Sequence, residues 1–144
     1  SNFLRYIDDG RFEDACFYRV VCMNNQTENK IKIEVIQAGL QQDDHAQILK
    51  PIPHESTAET GILHKNGTIS MARNEPGTAS SEFFICIGDQ PELDFGGRRQ
   101  PDGQGFAAFG KVIGGFDAIK NIQNQPSAGQ ILKPVIKIVK LERI

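Results

Sequence analysis

The chain has 144 residues, 39% of them hydrophobic, with nine Phe and no Trp, the size and composition of one ordinary globular domain with a real core. A net charge of −2 without a basic stripe argues against a nucleic-acid surface, and no apolar run reaches the roughly 18 residues that a membrane-spanning helix requires. Cys16, Cys22 and Cys86 show no CxxC spacing, and His45, His54 and His64 form no HExxH pattern, so neither a disulfide framework nor a metal centre is indicated.

In chain order, Asn2 reads as the cap of a short amphipathic helix carrying Phe3, Leu4, Tyr6 and Ile7, with Gly10 as its left-handed stop. Ala15 to Met23 is rich in β-branched and aromatic residues and reads as a strand, followed by a polar turn over Asn24 to Asn29. Lys30 to Gln37 alternates, with Ile31, Ile33 and Val35 on one side and Lys32 and Glu34 on the other, which predicts a strand with one wet face. The polar stretch Gln41 to Glu59 carries Pro51 and Pro53 and predicts a long loop with at most a helical turn.

Two apolar runs follow, Ile69 to Ala72 and Phe83 to Ile87, joined by a turn of small and polar residues. A glycine-rich loop, Phe95 to Gly105, leads into a strand at Phe106 to Ile113. Gly114 and Gly115 then open a helix at Phe116 to Gln123, and Ile131 to Ile144 closes the chain as a strand. The lack of a βαβ rhythm predicts a mainly β, antiparallel domain, a barrel with helices at its ends, with 1–144 as a single unit.

Arg19 is the oddest residue in this pattern, a cation inside Phe17-Tyr18-Arg19-Val20-Val21, where unpaired burial is costly. Two readings stay open from the residues alone: an edge arginine paired with Glu34 or Glu82, or a cation presented to a ligand.

Four segments, FYRVV at Phe17 to Val21, VIQAG at Val35 to Gly39, SMAR with TASSEFFI between Ser70 and Ile85, and GFAAFGKV at Gly105 to Val112, occur in an order that resembles the cyclophilin family of peptidyl-prolyl isomerases, bacterial-type branch. The resemblance implies an eight-stranded antiparallel barrel capped by two helices, with a proline-binding groove on its outer face. It implies Arg19 as the catalytic arginine and Gln37 as the glutamine that helps hold it. Val35, Phe84, Leu93 and Phe106 would wall the proline pocket, the backbone of Ala72 and Arg73 would align the peptide, and Glu82 would border the site where the family usually has glutamine.

Glu82 is therefore expected near Arg19, able to pair with it. Glu34 and Glu92 fall at positions where larger apolar groups commonly line the groove. The resemblance implies no cofactor and no metal, proline-containing polypeptides as partners, and, with no tryptophan, weak cyclosporin binding. It also implies a strand pair ahead of the segment at Asn2 to Gly10, so the domain is expected to be N-terminally incomplete, with sheet edges prone to self-association. Relatives of this type are often exported, and the compartment stays open.

Three functions follow as candidates: an isomerase, a proline-peptide-binding module with weak turnover because of Glu82 and an altered rim, or a scaffold that binds no peptide.

Overall fold

A computed structural model describes residues 1–144. The elements in chain order are α1 (Asn2–Asp8), β1 (Cys16–Val21), β2 (Val35–Gly39), α2 (Thr57–Thr60), β3 (Thr68–Met71), β4 (Phe83–Cys86), a 3-10 turn at Pro91–Leu93, β5 (Ala107–Lys111), α3 (Phe116–Gln123), β6 (Ser127–Ala128) and β7 (Ile131–Lys137). All strand pairs are antiparallel, in one seven-stranded sheet ordered β5-β3-β4-β2-β1-β7-β6. The sheet is not closed by hydrogen bonds: β5 and β6 are its edges.

Strand alternation sorts the buried side chains into three packing groups. Val20, Ile36, Ile85 and Ile87 meet Ile119 of α3 on one face, and Ala38 and Phe83 meet Tyr6 of α1 and Phe12. The opposite face carries Val21, Ile33, Val35, Phe84, Leu93 and Phe106, an apolar set that is roofed by loops rather than by a helix. This third set positions the site.

Several local expectations are corrected by the backbone. Ser1, not Asn2, caps α1 by accepting from the Leu4 N–H, while the Asn2 side chain donates to the Ser80 carbonyl at 2.8 Å. The strand expected from Lys30 starts only at Val35, because the Gln26 side chain takes the pairing of Ile33: its amide donates to the Ile33 carbonyl at 2.6 Å and its carbonyl accepts the Ile33 N–H at 3.2 Å. Nor does β2 keep a wet face, since Ile36 and Ala38 are fully buried against the helices. The last strand ends at Lys137. The helical turn expected in the long loop is α2, fixed by a capping box between Ser56 and Glu59.

Candidate active site

A groove of about 320 Å³ opens on the loop-roofed face and is lined by all nine residues named as site candidates: Arg19, Val35, Gln37, Ala72, Arg73, Glu82, Phe84, Leu93 and Phe106. Neighbouring strands β1, β2 and β4 deliver four of them, Arg19, Val35, Gln37 and Phe84, with Arg19 opposite Gln37 and Gln37 opposite Phe84, and the loops and the 3-10 turn that flank the strands supply the other five. Glu92 and Glu34 do not line it. Glu92 is paired with Arg98 at 2.6 Å, and Glu34 accepts from Gln123 of α3 at 2.9 Å, turned to the other side of β2.

The β1 ladder slips between Phe17 and Arg19, so Tyr18 is an extra residue opposite no partner. A bulge of this kind re-aims side chains. Here it brings Tyr18 and Arg19, neighbours that strict alternation would place on opposite faces, into the same groove.

A continuous hydrogen-bond chain results. Arg19 Nη1 donates to Gln37 Oε1 at 2.8 Å, Gln37 Nε2 donates to the Tyr18 hydroxyl at 2.8 Å, and that hydroxyl donates to Glu82 Oε1 at 2.9 Å. Arg19 Nε donates to Gln130 Oε1 at 2.9 Å, which fixes the guanidinium from a second side. Its Nη2 has no acceptor within the chain. Burial lowers the Arg19 pKa from its ordinary value, and no carboxylate is paired with it to offset that cost.

The expected Arg19–Glu82 pair is therefore absent, as is a pair with Glu34. Glu82 spends its oxygens on the Tyr18 hydroxyl, the Leu40 N–H at 3.1 Å, the Gln41 N–H at 2.9 Å and the Ser81 hydroxyl. It is a staple between β4 and the chain leaving β2. Burial, together with this carboxylate, pushes the Tyr18 phenol pKa up, so Tyr18 stays a proton donor.

The apolar end of the groove is built by aromatic packing. Phe84 and Phe106 meet edge to face at 5.3 Å, and the buried His64 ring stacks behind Phe84 at 6.0 Å. His64 is held by Asp94 on Nδ1 and Ser70 on Nε2, both at 2.8 Å. The Arg73 guanidinium lies over Phe106 at 5.0 Å and is forked to Asp102 at 2.9 and 3.1 Å, so its side chain supports the pocket wall. The Ala72 N–H is spent on the Glu82 carbonyl at 3.0 Å, while the Ala72 carbonyl and both backbone groups of Arg73 have no partner within the chain.

Tyr18, Gln130, Arg99, Gln41 and Asp43 also belong to this region and are missed by motif reading. Tyr18 adjoins Arg19 in the FYRVV segment, but only the bulge turns it inward. Arg99 and Gln130 lie in loops, where no periodicity reports orientation.

Known proteins of one family resemble the chain in sequence and in fold. The family model for cyclophilin-type peptidyl-prolyl cis-trans isomerases matches residues 1–143. The chain is 33% identical over 143 residues to the peptidyl-prolyl cis-trans isomerase cyp18 of Streptomyces antibioticus, covering 96% of this chain and 80% of that protein. It is 33% identical over 151 residues to peptidyl-prolyl cis-trans isomerase A of Dickeya dadantii, covering 97% and 72% respectively. A cyclophilin-type isomerase of Cryptosporidium parvum, solved in the presence of the dipeptide Ala-Pro, shares the fold with a TM-score of 0.62 at 22% identity, over 95% of this chain and 82% of that one. The chain belongs to the cyclophilin-type peptidyl-prolyl cis-trans isomerase family.

Proposed function

We propose that this chain catalyses rotation about X–Pro bonds in flexible polypeptides, with Arg19 as the electrostatic catalyst and Gln37 as the residue that aims it. The carrying observation is the groove guanidinium, tied to two neutral amides and to no carboxylate, with Nη2 left over for a ligand.

The X–Pro bond resists rotation by roughly 18–20 kcal/mol because its C–N bond has partial double-bond character. Twisting removes that character and leaves a lone pair on the proline nitrogen. A guanidinium donating to that nitrogen or to the prolyl carbonyl stabilises the twisted state more than the planar one, which is what accelerates the step. One charge-assisted hydrogen bond contributes about 1.5–3 kcal/mol, and each 1.36 kcal/mol is tenfold, so Arg19 accounts for about 10- to 100-fold.

The remaining acceleration falls to the apolar slot. Val35, Phe84, Leu93 and Phe106 hold the ring while the preceding residue turns, and they keep water from the imide. The free backbone groups at Ala72 and Arg73 suit an extended peptide laid beside β3. Glu82 borders the groove without competing for Arg19, which removes one of the two motives for reading the chain as a binding module with weak turnover and leaves only the altered rim. With no tryptophan in the chain, cyclosporin binding is weak in this account.

The test is two-dimensional exchange NMR on an Ala-Pro peptide. Uncatalysed exchange takes tens of seconds or longer, so cis–trans cross-peaks within a fraction of a second on adding the protein are the expected result. Shifted peptide resonances without exchange would overturn the proposal in favour of simple binding.

A further inference from the structure

Seven arginines occur in the chain, and five have a carboxylate partner: Arg5 and Arg11 with Asp9, Arg73 with Asp102, Arg98 with Glu92 and Arg143 with Asp8. The two without one, Arg19 and Arg99, both line the groove. Arg98 and Arg99 are adjacent, yet Arg98 lies exposed against Glu92 while Arg99 turns inward. Arg99 Nη1 donates to Gln26 Oε1 at 2.8 Å and to the Ile31 carbonyl at 2.6 Å, and its Nε and Nη2 have no acceptor within the chain.

The groove is polar along the line of β2. Arg99 stands where the chain enters it, beside Ile31 and Ile33; Arg19 stands at Gln37; the acidic groups Glu82 and Asp43 stand where the chain leaves it, beyond Gly39. Glu82 already accepts from four groups, so it does not neutralise the cationic end. Burial lowers the Arg99 pKa, and the charge of Arg19 lowers it further. Two half-buried cations that repel each other, with donors to spare, are complementary to an anion on the ligand.

We propose that Arg99 is a specificity-determining residue that selects polypeptide substrates carrying an Asp or Glu within two residues of the proline. The inference rests on the isomerase reading of the groove. Arg99 leaves the bond-rotation step to Arg19 and acts on which chain is held there.

The test compares kcat/KM for three proline peptides, identical except for Glu, Ala or Lys at the position before or after the Ala-Pro pair, at low and high salt. The expected result is a Glu-over-Lys preference of about three- to tenfold at one of the two positions, the scale of a single partly screened ion pair, shrinking as salt rises. The preference persists in Arg99→Lys, falls to near unity in Arg99→Gln and reverses in Arg99→Glu. Reversal separates charge recognition from the role of Arg99 in pinning Gln26 and Ile31, because loss of that support would slow all peptides alike. An unchanged Glu-to-Lys ratio across these variants, with the Ala peptide still turned over, would overturn the proposal alone. No turnover of any peptide by the unaltered protein would overturn the isomerase reading and the proposal with it.

Discussion

Tyr18 stands between Glu82 and Arg19: its hydroxyl donates to the Glu82 carboxylate at 2.9 Å and accepts from Gln37, whose carbonyl receives Arg19. The carboxylate thus acts on the guanidinium through two neutral groups rather than by pairing with it. If the pair existed, Glu82→Gln would free Arg19 and raise activity. The geometry predicts the reverse. A glutamine keeps one acceptor and turns an amide donor toward either the Leu40 N–H or the Gln41 N–H, which donate to different oxygens of Glu82, so Glu82→Gln should lower stability by about 1–3 kcal/mol. Loss of the tether on Tyr18 should lower kcat/KM severalfold. Urea unfolding and peptide kinetics on the same variant check both.

Gly39 tests the same staple from the opposite side. Its φ of 149° is one that side chains rarely adopt, and an added Cβ would collide with the Glu82 carboxylate. Gly39→Ala should therefore destabilise by about 1–3 kcal/mol. A urea midpoint equal to that of the unaltered chain would contradict both the backbone strain at Gly39 and the clash with Glu82.

Asp102 reaches the apolar end of the groove through Arg73, which it holds against Phe106. The hydrogen bond from Arg73 keeps the Asp102 carboxyl below its ordinary pKa. Asp102→Asn should loosen the Phe106 wall and raise KM about three- to tenfold, with a smaller change in kcat, because the slot binds the ring before and during rotation. A fall in kcat at unchanged KM would place Asp102 in a different role.

His64 sets a pH window for stability. Burial holds its pKa below the ordinary 6.5, and the hydrogen bond and charge of Asp94 offset part of that shift. Neutral His64 donates from Nδ1 to Asp94 and accepts the Ser70 hydroxyl at Nε2. The unfolded chain takes up a proton near pH 6.5 and the folded chain does not, so this contribution is complete above about pH 6.5 and is lost as pH falls toward the folded-state pKa. The depressed carboxyls Glu59, Glu92 and Asp102 act below their ordinary values of 4.5, 4.5 and 3.8, and so do not contribute to a comparison between pH 7.5 and 5.5. Urea midpoints at pH 7.5 and 5.5 should differ in the unaltered chain and differ less in His64→Gln.

Much of this was legible in the residues. A cation among aromatics marked Arg19, and the ordered motifs named residues that the structure gathers into one groove. What sequence could not report is where a side chain substitutes for backbone. Gln26 ends the pairing expected at Ile33, a one-residue bulge turns Tyr18 inward, and the four donors around Glu82 come from residues 18, 40, 41 and 81. Arg99 was hidden for a related reason: in a loop, neither charge nor spacing distinguishes it from its exposed neighbour Arg98.

The most direct test of the account is the Ala-Pro exchange rate of the unaltered chain against Arg19→Ala and Arg19→Lys. The account predicts fast exchange that drops about 10- to 100-fold in Arg19→Ala. Arg19→Lys should fail to restore it, because a lysine cannot keep Gln37 and Gln130 while presenting a third, planar donor. Exchange as fast in Arg19→Ala as in the unaltered chain would contradict the central claim and leave the apolar slot as the whole catalyst.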